Sequence, residues 1–270
     1  MVSAKDKLVA LKRNIRPLGS AAVAFSGGAD STLVAKVARD ELGEKALAVT
    51  IDSPLYPAAE LRNARRVAEN IGIEHVVVRT DPLADKAFAG NPADRCYLCK
   101  LDDLRQIRKV ADEHGIREVI DGSNADDEGD YRPGLRAKKE LRVKSPLADT
   151  GLGKRDVRAL SKLLRLPTAS KSSSPCLASR IPYGETITAE KLGMIEEAEE
   201  FLRAKGFDQV RVRMHGRMAR IEVPSGDLDL LLSSGMRTAV TKKLKSLGFA
   251  YVSVDIEGYR MGSLNEVLAR

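Results

Sequence analysis

The sequence contains no tryptophan, and its aromatic share is only 4%. Single-stranded nucleic acid is gripped by stacking on aromatic rings, so this scarcity argues against such a surface. No apolar run approaches the length of a membrane span. Residues 1–17 lack the unbroken apolar stretch of a signal peptide, because Lys5, Lys7, Lys12 and Arg13 interrupt Leu8, Val9 and Leu11. The expectation is an intracellular, cytoplasmic chain that opens with an amphipathic helix. There are three histidines, His75, His114 and His215, with no local spacing that suggests zinc. Cysteines also number three, and an odd count does not suit a disulfide framework.

What is present is an ordinary globular composition, 43% hydrophobic and 31% charged over 270 residues. That length supports one large domain or two smaller ones. The net charge of +7 is spread along the chain without an isolated basic block, which reads as a solvated surface rather than a nucleic-acid face.

From residue 20 the pattern alternates strand and helix. Apolar runs at 21–25, 46–51, 75–79 and 118–120 read as strands, with helices at 31–42, 58–71 and 101–114 between them. Further helices are expected at 135–141 and 155–164. Strands that are apolar throughout, joined by helices, indicate a parallel sheet covered on both faces. Right-handed crossovers then gather the loops 26–31, 52–56 and 121–127 at the carboxyl ends of the strands, where open sheets bind ligands. After Pro167 the character changes. Helices at 188–205, 227–232 and 238–247, and strands at 210–214, 219–223 and 251–255, describe a smaller α+β domain. The expected organisation is an α/β domain over 1–167, a linker over 168–180 and a second domain over 181–270.

Ser26-Gly27-Gly28-Ala29-Asp30-Ser31 follows a buried strand and opens a helix. Small residues let backbone N–H groups approach phosphate oxygens, and a helix N-terminus favours negative charge. The loop is neither a Walker A sequence nor Gly-x-Gly-x-x-Gly. A plain capped turn is the alternative, but the strand-loop-helix context favours ATP. Gly122-Ser123-Asn124-Ala125-Asp126-Asp127 sits after the fourth strand; alone it reads as a turn rich in Asp and Asn. Cys96 and Cys99 form a Cys-x-x-Cys pair. Cys176 lies between Pro175 and Pro182 with Arg180 nearby, and a neighbouring cation raises the thiolate fraction of a cysteine. Arg211 and Arg213 are two apart on an expected strand and so share one face, where they form either a wet surface or a phosphate clamp.

Ser-Gly-Gly-x-Asp-Ser after the first strand resembles the loop of the N-type ATP pyrophosphatases, whose domain is the adenine-nucleotide alpha-hydrolase-like (PP-loop) fold. The resemblance implies ATP cleavage between the α and β phosphates. Asp30 would help hold Mg2+, and Ile51, Asn124 and Asp127 would join Ser26, Gly27, Gly28 and Ser31 at the nucleotide. The segment Pro175-Cys176-Leu177-Ala178-Ser179-Arg180, with Arg132-Pro133-Gly134, Ser145-Pro146-Leu147 and Val210-Arg211-Val212-Arg213, resembles the LarE family. These are sulfur-inserting enzymes of nickel-pincer nucleotide cofactor synthesis, and the resemblance covers nearly the whole chain. It implies that a carboxylate of a pyridinium biscarboxylate mononucleotide is adenylated and that sulfur then displaces AMP. Arg211, Arg213 and Arg180 would hold the substrate phosphate, with His215 nearby and Glu199, Glu200 and Glu222 as neighbours among which the sequence does not choose.

The family has two sulfur sources. Either the cysteine at the position of Cys176 gives up its own sulfur, or three cysteines hold a 4Fe-4S cluster that carries a sulfide. Three cysteines, Cys96, Cys99 and Cys176, favour the cluster. The resemblance further implies a homo-oligomer and a supply of sulfide from a donor protein or from free sulfide. Two rivals remain. A tRNA thiolation enzyme would also adenylate its substrate, although no RNA-binding module is visible. A non-catalytic carrier of clusters or sulfide is opposed by the intact ATP loop.

Overall fold

The computed structural model describes residues 3–127, 134–171, 175–260 and 262–267. Arg132 and Pro133, and the polar residues Ser172, Ser173 and Ser174, lie outside them. Two compact units form, Met1–Asp81 with Asp94–Ser174, and Pro82–Ala93 with Pro175–Arg270.

The first unit begins with α1 (Ala4–Ile15). Ser3 starts it through a reciprocal capping box: its hydroxyl accepts the Asp6 N–H at 3.2 Å, and the Asp6 carboxylate accepts the Ser3 N–H at 3.2 Å. Then come β1 (Ala21–Ala24), α2 (Ala29–Leu42), β2 (Ala46–Asp52), α3 (Ala58–Ile71) and β3 (Glu74–Arg79). A single turn, α4 (Lys86–Ala89), belongs to the second unit. The first unit resumes with α5 (Arg95–Glu113), β4 (Glu118–Ile120), α6 (Gly134–Glu140), α7 (Pro146–Asp149) and α8 (Lys154–Leu163). The four strands are parallel in the order β3-β2-β1-β4, with Val23 opposite Ala48 and Ala22 opposite Val119.

Period-two alternation divides the core. Ala21, Val23, Ala46 and Ala48 pack on one face with Leu33 and Val37 of α2, Val67 of α3 and Leu160 of α8. Ala22, Leu47 and Val49 pack on the other with Leu104 and Ile107 of α5 and Ala137 of α6. Burying each such Leu or Val contributes about 1.5–3 kcal/mol. The expected parallel α/β sheet, covered on both faces, is what the chain forms.

One boundary moved. Helix α5 begins at Arg95, six residues before the expected 101, so Cys96 and Cys99 lie inside it. The N–H groups of Tyr97 and Leu98 already bond the Asp94 carbonyl, at 2.8 and 3.2 Å. Tyr97 and Leu101 continue the inward stripe of Leu104.

In the second unit, α9 (Ala189–Ala204) is capped by Thr188, whose hydroxyl accepts the Lys191 N–H at 3.2 Å. The hairpin β5 (Arg211–His215) and β6 (Met218–Glu222) is antiparallel. Through α10 (Leu228–Leu232) and α11 (Ser234–Ser246) the chain crosses to β7 (Tyr251–Val254), parallel to β6. Hydrogen bonds join the 82–93 segment to this unit. The buried Asn91 amide donates to the carbonyls of Ile181 and Pro182 at 3.3 and 2.7 Å, and the Gly184 N–H donates to the Asn91 carbonyl at 2.9 Å. The division between units falls inside the stretch 168–180 that reads as a linker in the sequence. Among the described residues, no helix is long and apolar enough to cross a membrane.

Candidate active site

Strand order reverses between β1 and β4, which makes this the crevice where a doubly wound sheet takes its ligand. Both sequence loops meet there. Gly27 has φ +65°, and a Cβ on it would stand 2.8 Å from the Ala64 Cα of α3, so only glycine lets the loop lie against that helix. Ser26 Oγ lies 3.1 Å from Ser31 Oγ and accepts the Gly28 N–H at 3.3 Å. Behind the loop, Thr50 donates to the Phe25 carbonyl at 2.6 Å. Gly122 packs so closely that a Cβ would come within 2.6 Å of the Ser31 nitrogen.

Side chains then join the two loops. The Asn124 amide donates to Asp30 Oδ1 at 3.0 Å, and Asp127 Oδ2 accepts the Asn124 N–H at 3.1 Å. Burial raises the Asp30 pKa, the Asn124 hydrogen bond opposes the shift, and the charge of Asp127 adds to it. A divalent cation beside this pair would offset both the desolvation and the repulsion. Asp126 is structural: its Oδ2 accepts the Lys154 N–H at the start of α8, at 2.8 Å. Ile51 sits half-buried near the end of β2.

Beneath the second loop lies a polar hub that the sequence did not single out. Asp121 accepts from the hydroxyls of Ser145 and Ser123, each at 2.8 Å, and pairs with Lys138 at 3.2 Å. Burial disfavours its charge, but Lys100, Lys138 and these hydroxyls outweigh burial and hold its pKa below the ordinary value. A depressed carboxylate contributes stability above its unfolded pKa, about 3.9, and that contribution fades as pH falls through the folded value. Asp121→Asn is therefore expected to lower Tm clearly at pH 7. The gap from wild type should narrow steadily below about pH 4, as read by thermal melts across an acid series.

Cys96 is exposed and Cys99 half-buried in the first turns of α5, three apart and so on neighbouring positions of one helix face. Asp103, one turn on, lies 3.8 Å from Cys99 Sγ and accepts from Tyr56 Oη at 3.2 Å. Burial pushes its carboxyl up to about 6, against the pull of Lys100. Tyr56, from the loop after β2, thus reaches the helix that carries both cysteines.

In the second unit, Cys176 precedes a short turn, Leu177–Arg180. Arg180 is fully buried, and its guanidinium grips Glu199 with both arms, at 2.8 and 2.9 Å. Its remaining nitrogen donates to the carbonyls of Pro175 and Cys176, at 2.9 and 3.0 Å. Glu199 also accepts from Arg203 at 2.6 Å and from the Val212 N–H at 3.1 Å. Burial opposes its charge, yet Arg180, Arg203 and Arg211 keep its pKa below the ordinary value.

Arg213 grips Glu222 in the same two-armed way, at 3.0 and 2.8 Å, and donates to the Ser179 carbonyl at 2.7 Å. Arg220 shares Glu222 at 3.0 Å. Arg211 is buried with its guanidinium 5.3 Å from the Tyr259 ring centre, and burial together with Arg180 pushes its pKa down. These arginines do not line a wet face: β5 is buried on both sides along most of its length. Glu199 and Glu222 are inside the cluster, whereas Glu200 is exposed. His215 is half-buried, and burial with the charge of Arg220 lowers its pKa. Five guanidinium groups thus share three carboxylates, Glu199, Glu222 and, through Arg220, Asp255, an excess of positive charge near Cys176 suited to an anion.

Comparison with known proteins decides the family. The chain is 38% identical over all of its length, and 98% of the relative's, to the pyridinium-3,5-bisthiocarboxylic acid mononucleotide synthase of Lactiplantibacillus plantarum. The chain belongs to the LarE family. An uncharacterized protein of Synechocystis sp. is 44% identical over 98% of this chain and 99% of its own. Residues 9–90 match the asparagine synthase family model. A subunit of the glutamine-hydrolyzing GMP synthase of Thermoplasma volcanium is 28% identical over 76% of this chain and 70% of its own. As a LarE-family protein, the chain is an ATP-dependent sulfurtransferase built on a PP-loop domain.

Glu199 carried a signal that sequence reading could have used. It occupies an inward position of α9, in register with Leu192, Ile195 and Leu202, where an unpaired carboxylate would be costly. Asp121 and Asp103 are harder to read, because Ser145 and Lys138 for the first, and Tyr56 for the second, are distant in sequence.

Proposed function

We propose that this LarE-family enzyme uses ATP to adenylate a carboxylate of pyridinium-3,5-biscarboxylic acid mononucleotide, then replaces AMP with sulfur. The observation that carries this reading is the full-length match to the bisthiocarboxylic mononucleotide synthase, together with a cysteine set in an arginine-rich cluster. In the first step a carboxylate oxygen attacks the α phosphorus, and pyrophosphate leaves with the electron pair of the broken P–O bond. The loop amides around Gly27 and Gly28 would hold the phosphates, Ser26 and Ser31 orient the loop, and Asp30 with Asp127 would hold Mg2+. Asn124 fixes Asp30, and Ile51 lines the nucleotide side. In the second step sulfur attacks the acyl carbon and AMP departs.

Arg211, Arg213 and Arg180 would together hold the substrate phosphate. Arg180 and Arg213 already spend two arms each on carboxylates, so they shape the site as much as they bind.

Cys96, Cys99 and Cys176 would hold a 4Fe-4S cluster. Among the described residues, no three His, Cys, Asp or Glu side chains converge as a metal-ion site; two of the thiols share a face of α5 and the third belongs to the other unit. The donor chemistry fits, since thiolates are the usual cluster ligands and a helix N-terminus favours the thiolate form. When bound, such a cluster would supply the sulfide that is transferred. The second reading, in which Cys176 gives up its own sulfur, is supported by the Arg180 guanidinium held beside this residue through its backbone carbonyl.

Anaerobic purification with iron and acid-labile sulfide analysis separates the two. About four irons per chain, lost in Cys96→Ala, Cys99→Ala and Cys176→Ala alike, is the expected result. An iron-free protein that still forms thiocarboxylate, with Cys176 lighter by the mass of H₂S, overturns the cluster. A homo-oligomer, and a donor protein or free sulfide as the sulfur supply, complete the proposal.

A further inference from the structure

One charged side chain at the glycine loop is still without a role. Lys171 belongs to the first unit, and its ammonium donates to the Gly27 carbonyl at 3.2 Å. It also pairs with Glu60, in the first turn of α3, at 2.6 Å. Asn63, one turn further along α3, donates to the same Gly27 carbonyl at 3.0 Å. A cation is therefore held against the loop by a carboxylate whose only counter-charge in this set of contacts is the lysine itself. Both side chains of the pair remain partly open to solvent, at 21% and 26% exposure. Such a pair is weak and exchanges its partner readily.

Adenylation puts a further demand on this loop. When the bond from the α phosphorus to its bridging oxygen breaks, that oxygen takes the electron pair, and negative charge grows on the departing pyrophosphate. The loop amides and the Mg2+ carboxylates supply dipoles and a metal site, but no side-chain cation of the loop itself. Lys171 hydrogen-bonds the loop at the Gly27 carbonyl, while Lys154 stands 4.0 Å from Asp127. The four-carbon stem of Lys171 can carry the ammonium a short way from Glu60 without moving the backbone. We infer that Lys171 is a further substrate-binding residue, one that exchanges Glu60 for the β and γ phosphates of ATP and stabilises pyrophosphate as it leaves. The inference rests on the proposal that ATP occupies the glycine loop.

The test uses the full-length chain and two probes that need no sulfur acceptor, inorganic pyrophosphate with Mg2+ and AMP, each titrated by calorimetry. Lys171→Gln is expected to weaken pyrophosphate about tenfold or more, the scale of one charge-assisted hydrogen bond, while AMP is held as by wild type. Lys171→Arg should stay within a few-fold of wild type. Glu60→Gln should tighten pyrophosphate a few-fold, because the competing carboxylate is gone while the lysine stays charged. A purely structural brace predicts something different: Lys171→Gln and Glu60→Gln break the same ion pair, so both would lose pyrophosphate and AMP together. That pattern, or unchanged pyrophosphate affinity in Lys171→Gln, overturns the inference and leaves the ATP reading standing. Should Lys171→Gln fail to fold, Glu60→Gln still decides it: tighter pyrophosphate supports the inference, and pyrophosphate and AMP lost together overturn it. A folded wild type that binds neither ATP nor pyrophosphate overturns the loop reading and the lysine with it.

Discussion

Cys176→Ala is expected to abolish thiocarboxylate formation, by about 10³-fold or more, while pyrophosphate is still released when ATP and the mononucleotide are supplied together. Both proposed sulfur sources require this thiol, and neither requires it for the attack of the carboxylate on ATP. The glycine loop and the Asn124–Asp30 pair lie in the first unit, and the hydrogen bonds that fix them run between residues of that unit. Rapid-quench assays of pyrophosphate and of thiolated product check the split. Equal loss of both activities would mean that Cys176 positions the substrate for adenylation. Unimpaired thiolation would remove it from the reaction.

The second large effect is on stability. Arg180 and Glu199 are both fully buried and bonded arm to arm. Replacing Arg180 by alanine leaves a buried carboxylate without its main partner, and this class of change costs about 3–5 kcal/mol. Arg203 keeps one contact with Glu199, so the lower end of that range is expected. Lysine should not rescue, because a single ammonium cannot reproduce a planar two-armed grip that also reaches the carbonyls of Pro175 and Cys176. The double change Arg180→Met with Glu199→Leu should regain most of the stability, since removing both charges removes the desolvation penalty. It should not regain sulfur transfer. Denaturant titration of the three variants, followed by activity, tests this. A stable Arg180→Ala protein would contradict the buried pair.

Much of this was readable in the sequence because it is written in short-range pattern. The four strands are apolar runs, and their buried faces alternate as the parallel sheet requires. The glycine loop follows β1 directly, and the contact of Gly27 with Ala64 explains why glycine stands there. Other features are tertiary and leave little local trace. Arg211 and Arg213 look like surface residues on an alternating strand until Glu222 and Tyr259 bury them. The 82–93 segment joins the second unit through Asn91, whose carbonyl partners lie 90 and 91 residues away. The start of α5 was hidden because Arg95, Cys96 and Lys100 mask the inward stripe of Tyr97, Leu101 and Leu104. Lys171 pairs across 111 residues with Glu60, and no spacing rule connects them.

The central claim is that a substrate carboxylate attacks the α phosphorus of ATP. The most direct measurement supplies the mononucleotide with heavy oxygen in its carboxylates, together with ATP, Mg2+ and the anaerobically purified protein, and follows the label by mass spectrometry. Adenylation followed by displacement by sulfur predicts one heavy oxygen in the phosphate of each AMP released, and none in pyrophosphate. Thiolated product formed beside unlabelled AMP would contradict the account.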